Sequence, residues 1–188
     1  INNKEKIFLL GAGSNTLIRD SGVEGAVIKL GSKFSEMKLV DKNIIEVGAA
    51  ALDKRVSNFA KENEIGGMEF LSCIPGSIGG AVTMNSGCYG SDMSEIILSI
   101  KIINAEGIEK EIDGEEIEFY YRGSNLSKDY IILSAKLKGI QKSKDLIEKK
   151  QIEFIQKKKI TQPSQIKTGG STFKNKNDKK AWMLIKES

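Results

Sequence analysis

Two segments of the chain concentrate glycine and other small residues where a bound phosphate could be held. The first, residues 11–16, reads Gly-Ala-Gly-Ser-Asn-Thr and directly follows a short apolar run. The second, residues 74–87, reads Ile-Pro-Gly-Ser-Ile-Gly-Gly-Ala-Val-Thr-Met-Asn-Ser-Gly. Loops without bulky side chains let successive backbone N–H groups point at one anion. Since a hydrogen bond to a charged oxygen contributes about 1.5–3 kcal/mol, two such loops closing on one diphosphate would bind a nucleotide tightly.

Each segment also has a purely structural interpretation. Residues 11–16 could form a tight turn after a strand, because they lack the third glycine of the dinucleotide-binding fingerprint and no Gly-Lys-Ser/Thr follows as in a P-loop. The second segment could be a connector. However, Pro75 fixes φ there, while Gly76, Gly79 and Gly80 permit backbone conformations that other residues avoid. This density of glycine favours a binding loop.

Arg122 and Ser171 are candidates for reacting side chains. Arg122 follows two tyrosines, and a guanidinium held by aromatic packing can clamp a carboxylate through two parallel hydrogen bonds. Ser171 follows two glycines, a position where a serine is by itself more often a turn or helix-cap residue than a reacting group. For Arg122 the alternative interpretation is a surface arginine lying over a tyrosine ring.

The composition excludes several classes of function. The chain has 188 residues, a formal net charge of +4 and no histidine, so it contains neither a histidine-dependent catalytic unit nor an imidazole metal ligand. Its lysine runs lack the interleaved aromatic residues typical of nucleic-acid binding. Its apolar runs are far shorter than the ~20 residues that span a bilayer, which predicts a soluble protein. Cys73 and Cys88 form no Cys-x-x-Cys pair, and two cysteines in a chain of this length favour a reducing compartment over a disulfide scaffold.

The periodicity of apolar residues predicts an α+β framework for these candidates. Short β-branched and aliphatic runs predict strands over residues 7–10, 25–30, 44–49, 97–104, 109–113 and 130–137. Apolar residues at helical spacing predict helices over residues 52–65 and 143–158, and another helix begins within residues 179–188. The middle of the chain is therefore expected to be an α+β domain of mixed strands, flanked by incomplete pieces.

Four motifs, in this order, resemble the UDP-N-acetylenolpyruvoylglucosamine reductase (MurB) family. They lie at residues 11–20, 67–90, 119–124 (Phe-Tyr-Tyr-Arg-Gly-Ser) and 161–175, where Thr-Gln-Pro precedes Gly-Gly-Ser-Thr-Phe-Lys-Asn. The resemblance covers nearly the whole chain. It implies an α+β FAD-binding fold of the vanillyl-alcohol-oxidase/PCMH type with an incomplete substrate-binding domain. On this basis residues 1–22 are the remnant of an N-terminal FAD-binding subdomain, 23–158 the main FAD-binding domain, and 159–188 the start of a C-terminal substrate-binding domain.

The resemblance also implies roles for individual residues. Both glycine-rich segments of the family hold FAD non-covalently. The matching positions here are Gly11, Gly13, Ser14, Asn15, Thr16, Pro75, Gly76, Ser77, Gly79, Gly80, Ala81, Asn85 and Gly87. Arg122 matches the arginine that binds the substrate carboxylate and stabilises its enolate, and Ser171 matches the serine that protonates the substrate carbon. Lys159 and Asn175 match substrate-binding positions, and no metal site is implied.

The activity implied by the resemblance is the reduction of UDP-N-acetylglucosamine enolpyruvate to UDP-N-acetylmuramate for peptidoglycan synthesis. NADPH would be the hydride donor, and the enzyme would be a cytoplasmic monomer without nucleic-acid or membrane partners. Family members begin before this chain and continue past residue 188, where a glutamate assists protonation, so we expect the chain as written to turn over weakly. A non-catalytic FAD-binding fragment and another flavin oxidoreductase of the same fold are the alternatives.

Overall fold

The computed structural model of the chain describes residues 6–162, 172–175 and 179–188. Its strands are β1 (Ile7–Leu9), β2 (Ala26–Ile28), β3 (Met37–Asp41), β4 (Ile44–Gly48), β5 (Ile65–Gly66), β6 (Gly87–Cys88), β7 (Ser91–Asp92), β8 (Ile97–Ile103), β9 (Glu109–Asp113), β10 (Phe119–Tyr120), β11 (Gly123–Ser124), β12 (Ile131–Lys138) and β13 (Ile140–Gln141). Its helices are α1 (Asp53–Glu62), α2 (Ile78–Thr83), α3 (Lys144–Thr161) and α4 (Ala181–Glu187).

A five-stranded antiparallel sheet in the order β3-β4-β12-β8-β9 forms the centre of the molecule. Ala135 of β12 pairs with Val47 on one side and Ile100 on the other, and all three residues are buried. Because side chains alternate along a strand, this register places one apolar row from each central strand on the same face. That face is the floor of the hydrophobic core.

Helices α1 and α3 pack together and contribute to the same core. Val56 of α1 and Ile147 and Phe154 of α3 are buried. The buried Gln151 side chain of α3 donates to the backbone oxygen of Ser57 at 3.2 Å and to its Oγ at 2.7 Å. Since an unmade buried hydrogen bond costs about 1–3 kcal/mol, this contact fixes the position of α3 on α1.

The first glycine-rich segment directly follows a strand of a small parallel pair, which is separate from the five-stranded sheet. Ile7 pairs with Ala26 and Leu9 with Ile28, so β1 and β2 run side by side. The N–H of Leu10 continues this ladder by donating to the carbonyl of Ile28 at 2.9 Å. Residues 11–16 therefore start from a fixed strand end. Within the described part of the chain, no helix is both long and apolar enough to cross a membrane.

The structure corrects two sequence predictions of local structure. Residues 74–87 are predicted as one loop, but Ile78–Thr83 form α2, because burial of Ile78, Ala81 and Val82 outweighs the low helix propensity of the two glycines between them. Strand β3 is missed because it is an edge strand with mostly exposed residues, so no apolar row marks it.

Candidate functional site

A cleft of about 1360 Å³ brings the two glycine-rich segments together. Its walls come from the end of β1, the start of α2 and the turn between β10 and β11. All the residues matched to cofactor binding line it, namely Gly11, Gly13, Ser14, Asn15, Thr16, Pro75, Gly76, Ser77, Gly79, Gly80, Ala81, Asn85 and Gly87. The fold thus unites segments that lie about sixty residues apart in the sequence.

The two glycine-rich segments approach each other closely. A Cβ atom added to Gly11 would lie 2.8 Å from Oγ of Ser77, so a larger residue at position 11 would displace that hydroxyl. Gly13 has φ +78°, a left-handed conformation that glycine adopts without steric cost. The first segment can therefore turn back over the second within contact distance.

The second segment is held by the residues that precede α1. Leu52 forms an isolated antiparallel bridge with Ser77. The N–H of Ile78 donates to the carbonyl of Ala51 at 3.0 Å, and the N–H of Gly79 donates to the carbonyl of Ala49 at 2.9 Å. These bonds fix the backbone of the loop before any ligand binds.

Gly76 and Gly79 of the second segment are needed for space rather than for an unusual φ, which corrects the prediction made from the sequence. Gly76, Gly79 and Gly80 all lie outside the positive-φ region. A Cβ added to Gly76 would lie 2.6 Å from Oδ2 of Asp53, and one added to Gly79 would lie 3.1 Å from Cβ of Ala49. Gly80 has no neighbour closer than 3.8 Å, so its Cα faces the open cleft.

Asn85 and Gly87 shape the turn that follows α2. Asn85 has φ +43°, and its Oδ1 accepts a hydrogen bond from the N–H of Ser94 at 3.0 Å. A Cβ added to Gly87 would lie 2.4 Å from the carbonyl oxygen of Ser91 across the β6–β7 hairpin. The Asn85 side chain therefore has a structural role in addition to its place on the cleft wall.

Arg122 stands at the tip of the β10–β11 hairpin and lines the cleft. Its φ of +59° is uncommon for a residue with a side chain, and such strain concentrates at functional sites. The guanidinium Cζ lies 5.7 Å from the ring centroid of Tyr121, within the range of a cation–π contact. The Ser124 hydroxyl donates to the carbonyl of Thr83 at 3.5 Å, which ties this hairpin to the end of α2.

Neither Asn175 nor Lys159 is among the described residues that line the cleft, but Asn175 contacts Tyr121, the neighbour of Arg122. The Asn175 N–H donates to the Tyr121 hydroxyl at 3.4 Å, and its Oδ1 accepts from the N–H of Ala181 at 3.0 Å. Lys159 instead lines a smaller pocket of about 240 Å³. Ser171 lies outside the described residues.

Lys158 and Tyr89 also line the cleft, although the sequence does not indicate them. The Lys158 ammonium donates to the carbonyl of Cys73 at 2.6 Å. The Tyr89 ring stacks on Phe154 with centroids 5.1 Å apart. Both contacts join α3 to residues far away in the sequence, so no local pattern could have revealed them.

Asp53 is the third residue at the cleft that sequence reasoning missed. It is fully buried, and neither of its carboxyl oxygens has a hydrogen-bond partner among the described residues. Removal from water raises the pKa of the Asp53 carboxyl from its ordinary value of 3.8 to about 7. An aspartate at the start of a helix is ordinary, and its burial becomes visible only in the fold.

Comparison with known proteins identifies the family. Residues 2–113, more than half of the chain, match the family described as "FAD binding domain". UDP-N-acetylenolpyruvoylglucosamine reductase of Pelagibacter ubique is 48% identical over 98% of this chain and 62% of its own length. The protein of the same name from Rickettsia akari is 44% identical over 98% of this chain and 63% of its own length. The chain therefore spans a little over three fifths of these relatives.

Solved structures agree with the sequence relatives. UDP-N-acetylenolpyruvylglucosamine reductase (MurB) from Thermus caldophilus superposes with a TM-score of 0.88 at 31% identity, over 98% of this chain and 67% of the other. Carbon monoxide dehydrogenase from Hydrogenophaga pseudoflava matches with a TM-score of 0.54 at 11% identity, over 71% of this chain and 52% of the other, which shows the fold alone. The predicted α+β FAD-binding fold is confirmed, and the chain belongs to the FAD binding domain family and, within it, to the UDP-N-acetylenolpyruvoylglucosamine reductases.

Proposed function

We propose that this chain supplies the cofactor-binding part of an enzyme that reduces UDP-N-acetylglucosamine enolpyruvate to UDP-N-acetylmuramate, with NADPH as hydride donor. The convergence of two glycine-rich segments and Arg122 on one cleft carries this proposal. The names of the relatives supply the substrate. A role in peptidoglycan synthesis, a cytoplasmic location and a monomeric state belong to the same proposal.

The residues of the cleft fit FAD. Its volume of about 1360 Å³ exceeds the roughly 300–1,000 Å³ of typical small-ligand sites, as a dinucleotide requires. Residues 11–16 and 75–81 would hold the diphosphate, since their backbones are bare of large side chains and Gly11 lies against Ser77. When bound, FAD supplies a two-electron carrier between a nicotinamide donor and the substrate.

Arg122 would bind the carboxylate of the enolpyruvyl group. Its guanidinium can form two parallel hydrogen bonds with a carboxylate, and the hairpin tip presents it at the cleft wall. A fixed positive charge at that position stabilises the negative charge that develops when the substrate becomes an enolate. Asn175 would contact the same substrate, and the bond from its N–H to the hydroxyl of Tyr121, the neighbour of Arg122, supports this role.

Ser171 would donate the proton that completes the reduction. This role follows from the match of residues 169–175 to the family motif. The serine hydroxyl would act as the general acid at the substrate carbon adjacent to the carboxylate. Lys159 would bind the diphosphate of the nucleotide sugar.

Flavin binding and reduction provide a direct test. The purified chain incubated with FAD and desalted should retain absorbance in the near-ultraviolet and blue bands, and NADPH should bleach the blue band under anaerobic conditions. Adding the enolpyruvyl UDP-sugar should then restore it. Failure to retain FAD would overturn the proposal, whereas bound FAD that NADPH does not bleach would favour a binding module without turnover.

A substitution at Gly80 tests the proposed location of the cofactor. The Cα of Gly80 faces the cleft, and a Cβ added to it would have its nearest neighbour at 3.8 Å, so Gly80→Leu starts a bulky side chain in the cleft without a close contact at its Cβ. The variant should fold with an unchanged circular dichroism spectrum and lose retained FAD. Retention of FAD at the wild-type level would place the cofactor elsewhere.

A further inference from the structure

Asp53 lies directly beneath the loop that is proposed to hold the cofactor. Its backbone N–H donates to the carbonyl of Gly76 at 3.2 Å. Its carboxyl group occupies the space next to the Gly76 Cα, because a Cβ added there would lie 2.6 Å from Oδ2. A change in the Asp53 side chain would therefore act directly on the backbone of residues 75–77.

Among the described residues, no hydrogen-bond partner stabilises a negative charge on Asp53. The carboxyl group does lie at the N-terminal end of α1, where the helix dipole favours an anion, but its pKa is still raised, so burial outweighs the dipole. Lys54 and Arg55, the neighbours of Asp53 on α1, are exposed.

Two charged groups on elements that pack against α1 have other partners. Glu69 pairs with Lys142 at 2.9 Å, and the Lys158 ammonium of α3 donates to the carbonyl of Cys73. Residues 74–77 of the loop carry no titratable side chain. The neutral acid is therefore the form that this site accommodates.

We propose that Asp53 is a positioning residue of the cofactor site, whose carboxyl group must stay protonated for residues 75–77 to hold an anionic diphosphate. The inference rests on the proposed binding of FAD. An ionised carboxylate next to Gly76 would repel an anionic diphosphate held by residues 75–77, and burial weakens the screening of that repulsion by water. It would also disturb the loop backbone, because a buried charge without a partner draws water or nearby N–H groups towards itself.

Coupling between the proton and the ligand gives the inference a measurable signature. The negative charge of a bound diphosphate would raise the pKa of the Asp53 carboxyl further. In the protein without ligand this pKa is about 7, so at higher pH the carboxyl group takes up one proton when FAD binds. The dissociation constant should then be constant below about pH 7 and rise by up to roughly tenfold per pH unit above it. The chain has no histidine, so the side chain that most often titrates in this range contributes nothing.

The test compares FAD affinity across pH in three proteins. Quenching of flavin fluorescence gives the dissociation constant of the wild-type chain, Asp53→Asn and Asp145→Asn from about pH 6 to about pH 9. Asp145 is a matched control because it occupies the first turn of α3 and is exposed. Wild type and Asp145→Asn should lose affinity above pH 7, while Asp53→Asn should keep the wild-type acidic value throughout.

Each outcome decides a different question. Parallel pH profiles for wild type and Asp53→Asn would overturn the role of Asp53 while leaving FAD binding intact. Absence of binding in all three proteins at every pH would overturn the proposed function itself.

If Asp53→Asn does not fold, calorimetry of FAD binding to the wild type in two buffers of different ionisation enthalpy replaces the comparison with that variant. Uptake of about one proton per FAD near pH 8 and almost none near pH 6 supports the inference, and no uptake at either pH refutes it.

Discussion

Replacing Asp53 by asparagine should change how the free energy of unfolding depends on pH. In the folded chain the pKa of Asp53 is about 7, against an ordinary value of 3.8. Between these values the carboxyl group is protonated when folded and ionised when unfolded. Its contribution to stability is therefore fully present below about pH 4 and is lost as pH rises through 7. At about 1.4 kcal/mol for each tenfold change in the ionisation constant, the total loss is about 4 kcal/mol.

Denaturation with urea at two pH values isolates this contribution. Circular dichroism should show that wild type loses about 3 kcal/mol relative to Asp53→Asn between pH 5 and pH 8. The exposed Asp145→Asn should follow the wild type. A stability difference between wild type and Asp53→Asn that is the same at both pH values would refute the assignment of Asp53 as a buried, unpaired acid.

Three further substitutions test other parts of the structure. Gly48→Ala should lower the midpoint of thermal unfolding by several degrees, because its Cβ would lie 2.0 Å from the carbonyl oxygen of Phe34. Such overpacking costs about 1–3 kcal/mol. The control Gly31→Ala, whose Cβ would meet no atom within 4 Å, should leave the midpoint unchanged. Gln151→Met should destabilise the chain by about 1–3 kcal/mol in urea denaturation, since it removes the bonds from α3 to α1, and an unchanged midpoint would contradict that role. Arg122→Lys should retain FAD but slow substrate-dependent reoxidation of the flavin by roughly 10²–10³-fold, because lysine cannot reproduce the two parallel bonds; equal rates would exclude Arg122 from the reaction.

The sequence predicts most of the framework because the central elements follow simple periods. Strands β4, β8 and β12 are runs of aliphatic residues with one face in the core, and α1 buries one side, so local pattern and burial coincide. For α3 the agreement is only partial. Leu146 and Ile152 are exposed while the polar Gln151 is buried, because Gln151 lies on the same face of α3 as the buried Ile147 and Phe154 and its amide bonds to Ser57.

The glycine-rich segments could be found from sequence, but the reason for their composition could not. A dense run of small residues predicts a bare backbone whatever its conformation, and the structure brings both segments to one cleft. The sequence suggests unusual φ values for Gly76, whereas the structure shows that the Asp53 carboxyl fills the place of its Cβ. This requirement depends on a residue that lies more than twenty positions earlier in the chain.

Asp53 shows why a site can be invisible in sequence while its chemistry is set by the fold. An acidic residue in the first turn of a helix normally gains stability from the helix dipole and from water, and Asp145 on α3 has the exposed environment that this pattern predicts. Asp53 has the same local position, but the bridge between Leu52 and Ser77 closes the second glycine-rich segment over it and removes the water. The same backbone contacts that shape the second glycine-rich segment therefore create the buried acid. Loop geometry and the protonation state of Asp53 are thus two consequences of one packing arrangement.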